Sequence, residues 1–160
     1  MLQFDKRGHL TPYQEQVSDT DTIFRQLVDQ FSVSMSRATL FHEWTKYNRL
    51  LRGVVGENFQ QWINGSFVTQ KVNPGDIDLV SFIPYLAYEK REAILDKFWS
   101  DTWETEGIDA YFIKLYPVSH PNYEKRTRVE LNQWVERYTA TKPTQDFVMH
   151  PKGFLSIIVL

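Results

Sequence analysis

The sequence predicts a mixed α/β fold of the α+β kind, in which a mixed sheet of about four strands is covered by about four helices. Two observations lead to this prediction. Several segments carry apolar residues every three or four positions, which is the spacing of an amphipathic helix. Between them lie short runs of β-branched and aromatic residues, which are typical of strands. The predicted order is α-α-β-β-α-β-α-β, and the order of the strands within the sheet is left open.

Two helices are predicted near the start of the chain. Asp19 or Thr20 is suited to cap the first helix and Ser36 the second, because their side chains accept hydrogen bonds from the free N–H groups of a first helical turn. Gly53 and Gly56 interrupt the second pattern. The apolar positions at helical spacing are Ile23, Phe24, Leu27, Val28 and Phe31 in the first helix, and Leu40, Phe41, Trp44, Tyr47 and Leu51 in the second.

The remaining elements alternate between strands and helices. Asn64-Gly65 is a turn signal after the first strand, Pro84 is expected to end the second strand, and Gly107 the third helix. The predicted strands are Phe59–Ile63, Asp76–Ile83, Ile108–Leu115 and Phe154–Leu160; the predicted helices are Leu86–Trp103 and a segment after Pro121 that carries Leu131, Trp134, Val135 and Tyr138.

Length and composition indicate one globular domain. The 160 residues are sufficient for a single core, and we expect residues 1–18, which are polar and irregular, to form a poorly structured N-terminal arm. Hydrophobic residues make up 42% of the chain and aromatic residues 15%, which excludes intrinsic disorder. The net charge of −2 argues against general binding to DNA, and the absence of cysteine excludes thiol chemistry.

The chain carries no pattern for secretion or membrane insertion. Residues 1–10 are charged and lack the apolar core of a signal peptide, and no run of about 18 apolar residues occurs. We therefore expect a cytoplasmic protein without a membrane partner.

Asp76 and Asp78 are the strongest candidates for chemistry. They stand two residues apart in a predicted strand, so both carboxylates project from the same face, with Cα atoms about 6.6 Å apart. Like charges held so close require a raised pKa or a bound cation. Mg²⁺ suits the position, because it prefers carboxylate oxygen and keeps places open for water or substrate phosphate. The alternative is a strand end with two solvated aspartates.

Two further features suit the same site. Gly65-Ser66 follows a predicted strand, and the nine residues 67–75 separate it from Asp76. A glycine lets a phosphate approach the backbone, and the serine offers a hydroxyl. Asp109 is a third acid in a later predicted strand, although an acid at a strand start is equally well explained as solvated.

Three stretches of this sequence together resemble the signature of the DNA polymerase β-like nucleotidyltransferases, a Gly-Ser turn followed by an Asp-x-Asp flanked by hydrophobic residues. The stretches are Trp62-Ile63-Asn64-Gly65-Ser66-Phe67, the spacer 67–75 and Asp76-Ile77-Asp78-Leu79. Asp109 matches the third acid of that superfamily. The resemblance is greatest to small, minimal members, and its core covers residues 62–80.

The resemblance implies a nucleotidyltransferase fold, like the palm of polymerase β, and a magnesium-dependent reaction. A nucleoside monophosphate would pass from a nucleoside triphosphate such as ATP to an acceptor hydroxyl. Asp76, Asp78 and Asp109 would hold two Mg²⁺ ions, for which Mn²⁺ can substitute, and Gly65 and Ser66 would hold the terminal phosphates. Asp109 would also help to deprotonate the acceptor. That acceptor stays open: a protein, an RNA or a small molecule, for example in a toxin–antitoxin or defence system.

Other polar residues are weaker candidates. Lys71, between the two motifs, is a candidate phosphate contact, the alternative being a solvated turn residue. We interpret Lys152-Gly153 as a turn, and the basic cluster of Lys125, Arg126 and Arg128 as an exposed helix start, the alternative being a contact with the phosphates of an acceptor. Two other functions also stay open: an inactive nucleotidyltransferase-like domain that binds a nucleotide or a protein without turnover, and a plain interaction domain.

Overall fold

The computed structural model describes residues 1–99 and 101–160. Within them the chain forms a five-stranded mixed sheet, a separate two-stranded hairpin and five α-helices, which confirms the mixed α/β class. The strands are β1 (Gln3–Phe4), β2 (Leu10–Thr11), β3 (Glu15–Val17), β4 (Phe59–Asn64), β5 (Ile77–Pro84), β6 (Ile108–Leu115) and β7 (Phe154–Val159). The helices are α1 (Thr20–Leu27), α2 (Arg37–Val55), α3 (Tyr85–Leu95), α4 (Asp101–Thr105) and α5 (Arg128–Tyr138).

The large sheet has the strand order β3-β7-β4-β5-β6. Strand β4 lies antiparallel to both β5 and β7, whereas β5 and β6 are parallel, as are β3 and β7. Two parallel neighbours need a crossover between them, and α3 and α4 lie on the connection from β5 to β6. The end of β4 and the starts of β5 and β6 therefore meet at one edge of the sheet.

The two faces of the sheet bury different sets of residues, because successive strand side chains point to opposite sides. The first face carries the larger core, which includes α1, α2 and α3; its strand members include Ile63, Ile77, Leu79, Ile83, Ile108, Leu155 and Ile157. The second face packs against α5; its members include Trp62, Val80, Phe82, Ile113, Phe154 and, from α5, Tyr138. We call these the core face and the α5 face.

The first two helices agree with the sequence. Asp19 caps α1, since its carboxylate accepts a hydrogen bond from the Thr22 N–H at 2.7 Å. Helix α2 begins after Ser36, although the Ser36 side chain makes no capping hydrogen bond, and it continues through Gly53 to end at Gly56, whose φ is 82°. Gly53 does not interrupt it because a glycine adds no clash inside a helix.

The third predicted helix, Leu86–Trp103, is divided in the structure. Helix α3 ends at Leu95, a 3-10 turn covers Asp96–Trp99, and α4 begins at Asp101. Ser100, within the predicted helix, lies outside the described residues. The preceding strand is also displaced by one residue at each end, so that Asp76 comes just before β5 and Pro84 is its last residue.

The structure differs most from the sequence-based expectation at residues 1–18, where we expected a poorly structured arm. Strands β1 and β2 pair as an antiparallel hairpin, and β3 adds a fifth strand to the large sheet by pairing with β7. Leu10 is completely buried. Such short strands escape pattern analysis because β3 pairs with a segment at the other end of the chain. No helix among the described residues is long and apolar enough to cross a membrane.

Candidate functional site

A row of polar side chains crosses three neighbouring strands at the edge where β4 ends. Asn64 of β4 is paired in register with Asp78 of β5, which is paired with Asp109 of β6. Residues paired in this way present their side chains on the same face, here the α5 face. Asp76 lies two residues before Asp78, just outside β5, and is exposed. The alternation of the strand thus brings the three predicted acids to one edge of the sheet.

The carboxyl group of Asp78 lies in an environment that disfavours its charge. Burial raises its pKa, and the nearby charges of Asp76 and Asp109 raise it further, to about 6. Lys152 and Lys142 act weakly in the opposite direction. At neutral pH, the ionised Asp78 is therefore held in a place that disfavours its charge, and a cation beside it would relieve this repulsion.

The three acids do not form a ready-made metal site. Among residues 1–99 and 101–160, no group of three or more His, Cys, Asp or Glu side chains is arranged so as to hold a metal ion. The chemistry of the three side chains nevertheless suits Mg²⁺ or Mn²⁺, because both ions prefer carboxylate oxygens as ligands. Asp76 and Asp78 would be the residues to hold such an ion, with Asp109 beside them.

A steric constraint requires glycine at position 65, where the turn meets Asp78. Its φ is 80°, in the region that favours glycine, and a Cβ atom at this position would overlap the Asp78 carboxylate. The turn after β4 therefore packs directly on Asp78. Ser66 then opens a single 3-10 turn, Ser66–Val68.

Arg37, which the sequence analysis did not single out, holds the segment that follows this turn. Its side chain is fully buried, and the guanidinium donates hydrogen bonds to the carbonyl oxygens of Phe67 at 2.8 Å, and of Thr69 and Lys71 at 2.7 Å each. A further bond goes to the Leu27 carbonyl at 2.7 Å. Burial lowers the pKa of Arg37 to about 10, so it stays charged at neutral pH. A basic residue in the first turn of a helix is usually solvated, so no local pattern indicates this role.

A cavity of about 650 Å³ opens in front of the Gly65 turn. Five of the six residues predicted for the site line it: Gly65, Ser66, Lys71, Asp76 and Asp78. The sixth, Asp109, lies instead on a separate small cavity of about 90 Å³ with Tyr111 and Trp103. The structure therefore joins the Gly-Ser turn to the Asp-x-Asp pair, and leaves the third acid to one side. We call the larger space the acidic-end cavity.

The sequence analysis missed most of the positive charge in the acidic-end cavity. Lys6, Arg7, Lys142 and Lys152 line it as well. They come from opposite ends of the chain, so no sequence motif links them to Asp76 and Asp78. Lys152, interpreted above as part of a turn, is largely buried, and this burial lowers its pKa while the charge of Asp78 raises it.

The basic cluster at the start of α5 agrees with its interpretation as an exposed helix start. Lys125, Arg126 and Arg128 are exposed and absent from the lining of the acidic-end cavity. Arg128 forms an ion pair with Glu124 at 2.8 Å, one helical turn earlier. These residues have a local role in the described structure.

Two other cavities complete the surface around the sheet. One of about 470 Å³ lies on the other side of Asp78, under the end of α5, and shares Asp78, Lys142 and Lys152 with the acidic-end cavity. It also contains Asn64, whose buried Oδ1 atom has no hydrogen-bond partner among the described residues. The other, of about 820 Å³, runs along the outer edge of β7, and none of the predicted site residues lines it.

The fold and the site together define an α/β protein in which carboxylates at a strand end face a cavity that five cationic side chains also line. The chain belongs to a family of unknown function, DUF6932, whose model matches residues 2–158. No curated protein matches the chain, and no solved structure does.

Proposed function

We propose that this protein is a magnesium-dependent nucleotidyltransferase of the DNA polymerase β-like superfamily, with a palm-like fold, acting in the cytoplasm. One observation carries the proposal: the Gly65 turn packs on the Asp78 carboxylate, inside a cavity that also contains Asp76 and five cationic side chains. Phosphates are bound by backbone turns and cations, and the reacting phosphate of a nucleotide needs carboxylate-bound metal.

Each residue of the site has a distinct part in the proposed reaction. Gly65 and Ser66 bind phosphate through the backbone and the hydroxyl, and Lys71 and Lys152 attract it electrostatically. Asp76 and Asp78 would hold Mg²⁺, which when bound supplies charge neutralisation on the phosphates. The acceptor oxygen bonds to the α-phosphorus, the bond from that phosphorus to the bridging oxygen breaks, and pyrophosphate leaves. Asp109, in register beside Asp78 but outside the acidic-end cavity, would accept the hydroxyl proton from an acceptor that approaches from the β6 side.

The order of elements supports the palm-like fold. The Gly-Ser turn directly follows β4, the Asp-x-Asp pair stands at the start of the adjacent antiparallel strand, and the third acid stands on the next, parallel strand. This arrangement keeps the phosphate-binding turn and the acids at one edge of the sheet.

A second candidate is a nucleotide-binding module without turnover. Two observations favour it: the described acids are not arranged as a metal site, and Asp109 lies outside the acidic-end cavity. The two candidates share the binding step and differ in whether pyrophosphate is released.

The binding step is tested by calorimetric titration with each of the four ribonucleoside triphosphates, with Mg²⁺ and with a chelator. We expect magnesium-dependent binding in the wild type and in Asp29→Ala, a control that removes an exposed acid outside the lining of the acidic-end cavity, and no such binding in Asp76→Ala or Asp78→Ala. Absence of magnesium-dependent binding of any of the four nucleotides to the wild type would overturn the proposal.

Turnover is tested by incubating the wild type with α-³²P-labelled nucleotide and a cell extract as the source of acceptor. We expect a labelled product and pyrophosphate that are absent with Asp78→Ala. Nucleotide binding without either product would favour the module.

A further inference from the structure

The turn between β1 and β2 is held rigidly in one conformation. The Asp5 carboxylate accepts hydrogen bonds from the N–H groups of Arg7 at 2.8 Å and His9 at 2.9 Å, and the Asp5 N–H donates to the His9 carbonyl at 2.9 Å. Gly8 has a φ of 79°, which closes the turn. We call residues 6–9 the N-terminal turn. Its shape is set by its own backbone contacts, so its side chains are presented from a fixed base.

This turn is attached to both sides of the acidic-end cavity. The Gln70 N–H donates to the Gly8 carbonyl at 2.9 Å, which fastens the turn to the segment held by Arg37. The Gly153 N–H donates to the Leu10 carbonyl at 2.7 Å, which fastens the hairpin next to Lys152. Since Leu10 is also fully buried, the hairpin is anchored in the fold and forms a wall of the cavity.

Lys6 and Arg7 add two positive charges to the lining of the acidic-end cavity. Its lining contains five cationic side chains, Lys6, Arg7, Lys71, Lys142 and Lys152, against the two carboxylates Asp76 and Asp78. The cavity is therefore positive in a chain whose net charge is −2. Lys6 and Arg7 are exposed, and the Arg7 guanidinium forms an ion pair with the Asp5 carboxylate at 3.8 Å that leaves its head open to solvent and to a ligand.

The positions of the acids and of the N-terminal turn orient a bound triphosphate. Gly65 touches Asp78, whereas the N-terminal turn touches Gln70, five residues further along the same segment. The reacting α-phosphate has to lie at the acids. A chain of phosphates that extends from the acids along this segment would meet Lys6 and Arg7.

We propose that the N-terminal turn binds the terminal phosphate of the donor nucleotide through Lys6 and Arg7, and so selects triphosphates over diphosphates. This inference rests on the proposed function for the identity of the donor, but the binding of a phosphate chain at the turn does not require catalysis. Charge-assisted hydrogen bonds from an anchored turn are stronger than contacts from freely moving lysines, because less conformational entropy is lost on binding.

The test compares Lys6→Ala/Arg7→Ala with Lys125→Ala/Arg126→Ala, which removes the same charge from an exposed turn outside the cavity. Calorimetry measures the Kd of ATP and ADP with Mg²⁺, and of tripolyphosphate without metal. In the wild type and in the control we expect ATP to bind about tenfold more tightly than ADP. In Lys6→Ala/Arg7→Ala we expect this preference to disappear and tripolyphosphate to bind at least about tenfold more weakly. A Lys6→Arg/Arg7→Lys variant should keep both properties, and equal melting temperatures would show that all four proteins fold.

The results separate this inference from the proposed function. If magnesium-dependent ATP binding is absent but tripolyphosphate binding depends on Lys6 and Arg7, the anion site stands and the enzyme assignment fails. If ATP binds and its preference over ADP survives in Lys6→Ala/Arg7→Ala, the proposed function stands and the inference is wrong. Equal weakening in the Lys125→Ala/Arg126→Ala control, or no tripolyphosphate binding at all in the wild type, also overturns the inference.

Discussion

Two polar clusters on opposite faces of the sheet, one around Gln61 and one at the end of β4, differ in how their members are paired. On the core face, Gln61 is completely buried, and its side-chain amide bonds to Trp44, Asn48 and Ser81 at 2.8 to 3.0 Å. On the α5 face, the buried Asn64 Oδ1 and Tyr138 hydroxyl have no hydrogen-bond partner among the described residues, and like charges crowd Asp78.

This difference distinguishes polar groups that stabilise the fold from polar groups that can bind a ligand. A buried polar group that has all its partners favours one packing arrangement, whereas an unpaired group or a repelled charge makes the folded state less stable unless a ligand supplies the partner. The Gln61 cluster therefore stabilises the fold, whereas the end of β4 on the α5 face keeps polar groups available for a ligand. Arg37 connects the core with this site, because it lies in the core and holds the segment that lines the acidic-end cavity.

The largest effect is expected from removing Arg37. Arg37→Met leaves four backbone carbonyls without their donor inside the fold, and we expect the free energy of unfolding in urea to fall by about 4 kcal/mol. Arg37→Lys should recover only part of this loss, since an ammonium cannot reproduce the planar fork of a guanidinium. Arg25→Met, an exposed position on α1, is the control and should change stability by less than about 0.5 kcal/mol. An Arg37→Met protein as stable as the control would contradict the role assigned to Arg37.

A smaller loss is expected when the core face is altered at Gln61. Gln61→Met keeps the volume but leaves the Trp44, Asn48 and Ser81 side chains unpaired, and should cost about 3 kcal/mol of unfolding free energy. Its neighbour Gln60 points to the other face and is only half-buried, and its amide donates to Glu15 Oε1 at 3.0 Å and to Ser156 Oγ at 2.9 Å. Gln60→Met is therefore a matched control that removes hydrogen bonds near solvent and should cost only about 1 kcal/mol. Nucleotide binding should be unchanged in both. Equal destabilisation by the two substitutions would show that the two faces do not differ as described.

The smallest change, and one of opposite sign, is expected at Asp78. Its pKa is raised to about 6 in the folded protein, so the folded state holds a proton that the unfolded chain has lost, and stability falls as the pH rises from about 4 to about 6. In metal-free buffer, Asp78→Asn should therefore be more stable than the wild type at pH 7, by on the order of 2 kcal/mol, and equally stable near pH 4.

The control for this prediction is Asp29→Asn, which changes an exposed acid and should have the same unfolding free energy as the wild type at pH 7 and at pH 4. Mg²⁺ should raise the melting temperature of the wild type and leave that of Asp78→Asn unchanged. A loss of stability in Asp78→Asn at pH 7 would mean that Asp78 is a structural group rather than a strained ligand.

Elements with a strong local pattern were predictable, and those that depend on distant partners were not. The spacing of Leu40, Trp44, Tyr47 and Leu51 identified α2, and all four are buried. The strands β1, β2 and β3 contain only two or three residues each, too few for a pattern; β1 and β2 pair with each other, and β3 forms by pairing with β7 at the other end of the chain. For the same reason the N-terminal turn and Lys152 were missed as site residues.

The sequence by itself determined the class of the fold and the presence of the Asp-x-Asp pair and the Gly-Ser turn at one site. The two-residue spacing keeps Asp76 close to Asp78 although Asp76 lies just outside β5, and Gly65 permits a turn that a larger residue would not. Only the tertiary structure decided the charge around those acids, the exclusion of Asp109 from the acidic-end cavity and the burial of Arg37. Local geometry depends on neighbours in the chain, whereas burial and electrostatics depend on neighbours in space, which for this cavity come from both ends of the sequence.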